Sequence, residues 1–122
     1  MDELIGRLVA NTGVDRAAAE TAVGIILQFL MKEGPADKVQ ALVDQLPGAA
    51  AVIEKAPPYS SSGGMFGGGG IMAAGTRMMA AGLSMGQVQG VTRETIAFAR
   101  EKVGEDAVGE IVGAVPGLGQ FV

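Results

Sequence analysis

Residues 57–70 read P-P-Y-S-S-S-G-G-M-F-G-G-G-G, and they cut a chain of 122 residues in two. Proline lacks an amide donor and glycine loses the most backbone entropy on ordering, so no regular helix or strand is expected to run through such a stretch. Each half, folded alone, would leave much of its apolar surface in water. The halves are therefore expected to pack on each other as one globular domain.

On either side of this connector, apolar residues recur at helical spacing. Leu4, Ile5, Leu8 and Val9 mark one face of a first helix, which Asn11-Thr12-Gly13 breaks. Asp15 stands where an N-cap belongs, its carboxylate placed to accept from the free amides of the next turn. The helix that follows, about 16–33, is apolar nearly all round from Ala22 to Met31, which predicts a place in the middle of a bundle. Gly34-Pro35 ends it. A third helix, about 36–46, carries Val39, Leu42, Val43 and Leu46 on one stripe before Pro47-Gly48, and 49–55 is expected to add a short helical turn or two.

The second half is expected to repeat this plan. With Thr12–Ile53 laid on Ala81–Val122 without a gap, Gly13 falls on Gly82, Asp15 on Ser84, Phe29 on Phe98 and Asp37 on Asp106. The stripe falls on Val108, Ile111, Val112 and Val115, and Pro47-Gly48 on Pro116-Gly117. Identical pairs are few, so the repeat rests on a shared cap, stripe and stop in one register. The helix over 85–103, with Val88, Val91, Thr95, Phe98 and Lys102 at heptad-like spacing, is less apolar than 16–33 and is expected on the flank. The expected fold is all-α: helical unit 1 (1–56), the connector (57–70) and helical unit 2 (71–122), two similar three-helix units packed as one helical domain.

The side-chain inventory narrows the function. Without Cys or His the chain has no thiolate nucleophile, no disulfide, no Ser-His-Asp triad and neither of the commonest general base and metal ligand. No catalytic residue, cofactor or metal is assigned, and a non-enzymatic role is expected. A net charge of −4 with no run of Lys or Arg argues against nucleic-acid binding. The start, Met1-Asp2-Glu3-Leu4, lacks the basic and apolar regions of a signal peptide. The uncharged run 56–76 is mostly Gly, Ser and Pro rather than a transmembrane segment. A soluble, cytoplasmic protein is expected.

Several features bear on binding. Gly67–Gly70 leads into Ile71-Met72-Ala73 without the Lys-Ser/Thr of a phosphate-binding loop and without a preceding strand, so it reads as a linker. Met65-Phe66, alone among glycines, would pin that linker to its own domain or anchor a partner. Met65, Met72, Met78, Met79 and Met85 cluster in sequence, and such flexible side chains either receive varied apolar partners or fill a core short of aromatics. Arg77 among them could reach an anionic headgroup or simply face water. Gly82, Gly86 and Gly90, like Gly109, Gly113 and Gly117, recur every four residues. Where helical, they would form flat strips that admit another backbone closely, at about 1 kcal/mol per glycine relative to Ala. Glu101, Glu105, Asp106 and Glu110 gather near a helix boundary, where carboxylates are solvated or share a hard cation.

From Gly82-Leu83-Ser84 to Ala114-Val115-Pro116-Gly117-Leu118 the chain resembles small all-helical bacterial domains of unknown function, the VcgC/VcgE-like unit. Gly13-Val14-Asp15, Ala19-Glu20 and Asp44-Gln45-Leu46-Pro47 are similar to a related helical family. The resemblance implies an all-α bacterial protein and supplies no catalytic or ligand residues. The function expected is a protein–protein interaction or scaffold module that self-associates into a homo-oligomer or joins another helical protein. Its contacts are expected among Met65, Phe66, Met72, Met78, Met79, Gly86 and Gly113. The alternative is an apolar-ligand or lipid-surface binder using the Met-rich segment 65–85.

Overall fold

The computed structural model describes residues 2–55, 70–115 and 119, with the backbone alone for 70–73. Met65 and Phe66 lie outside the described residues, as do Pro116 and Gly117. The described residues form seven α-helices and no strand: α1 (Asp2–Thr12), α2 (Arg16–Glu33), α3 (Ala36–Asp44), α4 (Ala49–Lys55), α5 (Gly70–Ala80), α6 (Met85–Val103) and α7 (Glu105–Ala114). None of them is long and apolar enough to cross a membrane.

The all-round apolarity of α2 is explained by its neighbours. It packs against α1, α3, α4, α5 and α6, and Ala19, Ala22, Val23, Gly24, Ile25, Ile26, Leu27, Phe29 and Leu30 are buried along it. At its end Gly34 lies so close to the last turn that an added Cβ would stand 2.8 Å from the Leu30 carbonyl oxygen. Any larger residue there must push the α2–α3 corner open. The first half holds the three helices of the expected unit and, over 49–55 where a short helical turn or two was expected, a fourth. The residues after Pro47-Gly48 make α4, whose Ala49 and Val52 are buried, and α4 packs on α2.

The flank position expected for 85–103 is corrected. α6 touches α1, α2, α3, α5 and α7, and Val88, Val91, Thr92, Thr95, Ile96, Phe98 and Ala99 are buried along it. Its polar composition misleads because threonine can be buried as an apolar residue. The Thr92 hydroxyl donates to the Val88 carbonyl at 2.9 Å, which leaves only its methyl to meet the core.

The helix starts also differ. Ser84 forms a reciprocal capping box, with the Gln87 amide donating to Ser84 Oγ at 3.2 Å and the Ser84 amide to Gln87 Oε1 at 2.9 Å. Asp15 occupies the N-cap of α2 without a side-chain hydrogen bond, a correction to the expected cap. Ala18 stands where Gln87 stands in α6, so no reciprocal partner exists and the exposed carboxylate faces water.

The halves interleave. α1 packs more extensively on α6 than on α2, and α5 more extensively on α2 than on α6. Each opening helix thus covers the long helix of the other half. All seven helices contribute buried residues to one continuous apolar cluster.

Candidate interaction surface

The residues singled out for binding separate into core, surface and internal contacts. Met78 is 0% exposed and belongs to the core, so it is corrected from a contact residue to a packing one. The next residue, Met79, is 45% exposed, and Met85 at the start of α6 is 52% exposed. Met72 lies in α5, with its side chain outside the described atoms. Met78 therefore does not share a surface with Met79 and Met85. In a helix, adjacent residues point about 100° apart, so Met78 and Met79 cannot both face the same side.

The glycine strips divide too. Gly82 precedes α6 with φ at 108°, so it is a turn residue and no part of a helical strip. Gly90 serves inside the fold: a Cβ there would stand 2.9 Å from Thr12 Cγ2, so its smallness lets α1 approach α6. Gln87 Nε2 closes the same corner by donating to the Thr12 carbonyl at 3.3 Å. Gly86, Gly109 and Gly113 are different. They are exposed, and among the described residues no other part of the chain lies within 4 Å of a Cβ built on any of them. α7 is covered by α3 and α6, and Gly109 and Gly113 lie four residues apart on its uncovered side.

A second surface feature is a groove of about 330 Å³ lined by Gln28, Met31, Lys32 and Ile53, where α4 meets the last turns of α2. Met31 contributes an apolar wall that is 40% exposed. Gln28 ties its floor together. Its Nε2 donates to the Ile53 carbonyl at 2.9 Å, and its Oε1 accepts from Arg77 Nη2 of α5 at 3.1 Å. Arg77 is thus half-buried and turned toward α2, which corrects the expectation that it reaches a headgroup or water. Gln28 and Ile53 were not anticipated as lining residues. The available signal was Gln28 itself, the lone amide in the apolar run from Ala22 to Met31.

The carboxylates do not converge. Glu101 accepts both guanidinium nitrogens of Arg7, at 2.6 and 2.9 Å, joining α6 to α1. Glu110 pairs with Lys38 of α3 at 2.7 Å. Among the described residues no three acidic groups are placed to hold a metal ion. The Arg7 guanidinium also lies 5.3 Å from the Phe98 ring centroid and Lys102 Nζ 5.0 Å from it, so the ring bears a cation from each helix.

The hydrogen bonds from Arg7 hold the Glu101 carboxyl below its ordinary range. A carboxyl depressed in the folded state contributes stability above its unfolded value, near 4.3, and loses it as pH falls through the folded value. Urea midpoints measured from pH 6 to pH 3 are expected to fall in wild type and to fall less steeply in Glu101→Gln. Equal slopes would show that the pair adds nothing.

Among the described residues, those lining this surface do not bring an acid, a base and a nucleophile together. It offers an open small-residue face and an apolar groove. Compared with protein-family models, with curated proteins and with solved structures, the chain matches none.

Proposed function

We propose that this chain is a non-enzymatic interaction module of the cytoplasm, which self-associates through the small-residue face of α7 and the exposed start of α6. One observation carries the reading. Gly109 and Gly113 occupy the uncovered side of a helix where each costs about 1 kcal/mol relative to Ala, and no described contact within the chain uses their smallness. A second backbone brought close against that strip would use it.

The test exploits opposite signs. Gly113→Ala has open space around it, so it is expected to raise the monomer's stability by about 1 kcal/mol. Gly113→Leu, and separately Gly86→Leu, is expected to weaken self-association about tenfold, the effect of overpacking an interface by about 1–3 kcal/mol. Light scattering across a concentration series reads the second effect. An unchanged association constant in both leucine variants would refute the assignment of the face.

The two-unit organisation belongs to the same proposal. In the register that lays Gly13 on Gly82, the start of α2 at Arg16 falls on the start of α6 at Met85, and the start of α3 at Ala36 on the start of α7 at Glu105. Gly13 and Gly82 both turn the chain at positive φ, 76° and 108°. These coincidences support a duplicated unit, joined by the stretch between α4 and α5 and akin to the small bacterial domains that the sequence resembles.

The groove supports a second reading, an apolar ligand seated against Met31 and Ile53 with Lys32 at its edge. Its volume falls near the lower end of small-molecule sites. The exposed Met79 and Met85 give the lipid-surface version its support, although the core position of Met78 removes one of its contacts.

A further inference from the structure

The charged residues of α3 and α6 sort by whether the chain itself uses them. Lys38 is taken by Glu110, Glu101 by Arg7, and Lys102 stands over the Phe98 ring. Glu94 is half-buried on the side of Arg7. Four exposed charges remain: Asp37 and Asp44 on α3, Arg93 and Arg100 on α6. Among the described residues none of the four is in an ion pair, and Asp44 accepts only the side-chain amide of Gln40, at 3.1 Å.

The two sets match in spacing and oppose in sign. Asp37, Ala41 and Asp44 stand at i, i+4 and i+7, and so do Arg93, Ala97 and Arg100. Seven residues are close to two full turns, so each pair lies on one side of its helix, about 10.5 Å apart along the axis. The alanine between them leaves no bulk to hold the two rows apart. The helix dipole explains half of this pattern, since Asp37 is in the first turn of α3 and Arg100 in the last turn of α6. It does not explain the rest. Asp44 is the last residue of α3, the end where a carboxylate is disfavoured, and Arg93 lies in mid-helix.

We infer that the exposed side of α6 docks on the exposed side of α3 in a second copy of this chain, with Arg93 and Arg100 facing Asp37 and Asp44. This rests on the self-association proposed above, and the same line of α6 continues back to Gly86, seven residues before Arg93. The rows do not pair within one chain, where α3 and α6 touch while both rows stay exposed. The spacing is the same read in either direction, so two ion pairs form whichever way the helices run. Exposed pairs contribute little energy each, so their part is to select which faces meet and to speed the encounter.

Two double variants test the pairing, Arg93→Glu/Arg100→Glu and Asp37→Lys/Asp44→Lys. Each sets like charges against each other in its own assembly, and about tenfold weaker self-association is expected in analytical ultracentrifugation at low salt. Mixed in equal amounts, the two place glutamates opposite lysines and aspartates opposite arginines, so association at wild-type strength is expected to return. The variant carrying all four changes should likewise associate with itself as wild type does. Wild-type association should also weaken as salt rises from about 0.05 to 0.5 M. All four positions are exposed, so circular dichroism should show unchanged helix in every variant.

Double variants that associate as strongly as wild type would overturn this contact and leave self-association standing. Weakening without recovery in the mixture would also overturn it, since α6 would then meet some other acidic surface. Salt-independent association of wild type would overturn it even where a variant failed to fold. A wild type that stays monomeric at every concentration would overturn both this contact and the self-association on which it rests.

Discussion

Prepared as separate polypeptides, residues 1–56 and 70–122 are each expected to lack a cooperative melting transition and to gain one when mixed in equal amounts. The reason lies in the interleaving. Alone, α2 would lose α5 and α6, and α6 would lose α1, α2 and α3. An apolar helix such as α2 cannot remain folded with that much of its surface returned to water, because the net stability of a domain is only about 5–15 kcal/mol. Far-ultraviolet circular dichroism during a titration of one half with the other reads the result directly. Cooperative melting of either half alone would mean that its own helices suffice. The expected loss is the entire folding free energy, larger than that from any single substitution.

Among point changes, Phe29→Ala is expected to cost most, about 3–5 kcal/mol in urea unfolding. Phe29 is 0% exposed on the most enclosed helix, and its removal leaves a ring-sized void that rigid neighbouring helices only partly close. Met79→Ala is the matched control. At 45% exposure its side chain has little buried area to lose, and a change within about 0.5 kcal/mol is expected. A loss from Phe29→Ala below about 1 kcal/mol would show that the cluster around α2 repacks freely.

The helical class was legible in the sequence because its signals were local. Apolar spacing, Gly-Pro stops and capping residues each act within a turn or two, and they located α2, α3 and α6 closely. The central place of α2 followed from its own composition, since no other position could shelter an all-apolar helix. The place of α6 did not follow. Thr92 reads as polar in sequence and behaves as a buried methyl once its hydroxyl returns to Val88.

The surface was less legible for a geometric reason. α5 carries Met and Ala on several sides, so its periodicity does not say which side meets α2. Only packing decides that Met78 enters the core while Met79 does not. Likewise Gly90 and Gly113 are the same residue at similar helical spacing, yet Thr12 stands against one and no other described side chain against the other. The Gln28–Arg77 contact joins residues far apart in sequence, and no local pattern announces such a pair.

The most direct test of self-association is a native mass spectrum of the protein, gently purified from its own host. Self-association predicts a clean multiple of the 12.3 kDa chain without an added small-molecule mass, giving way to the single chain on dilution. A single chain at every concentration, carrying a reproducible extra mass, would contradict it and turn attention to the groove beside Met31 and Ile53.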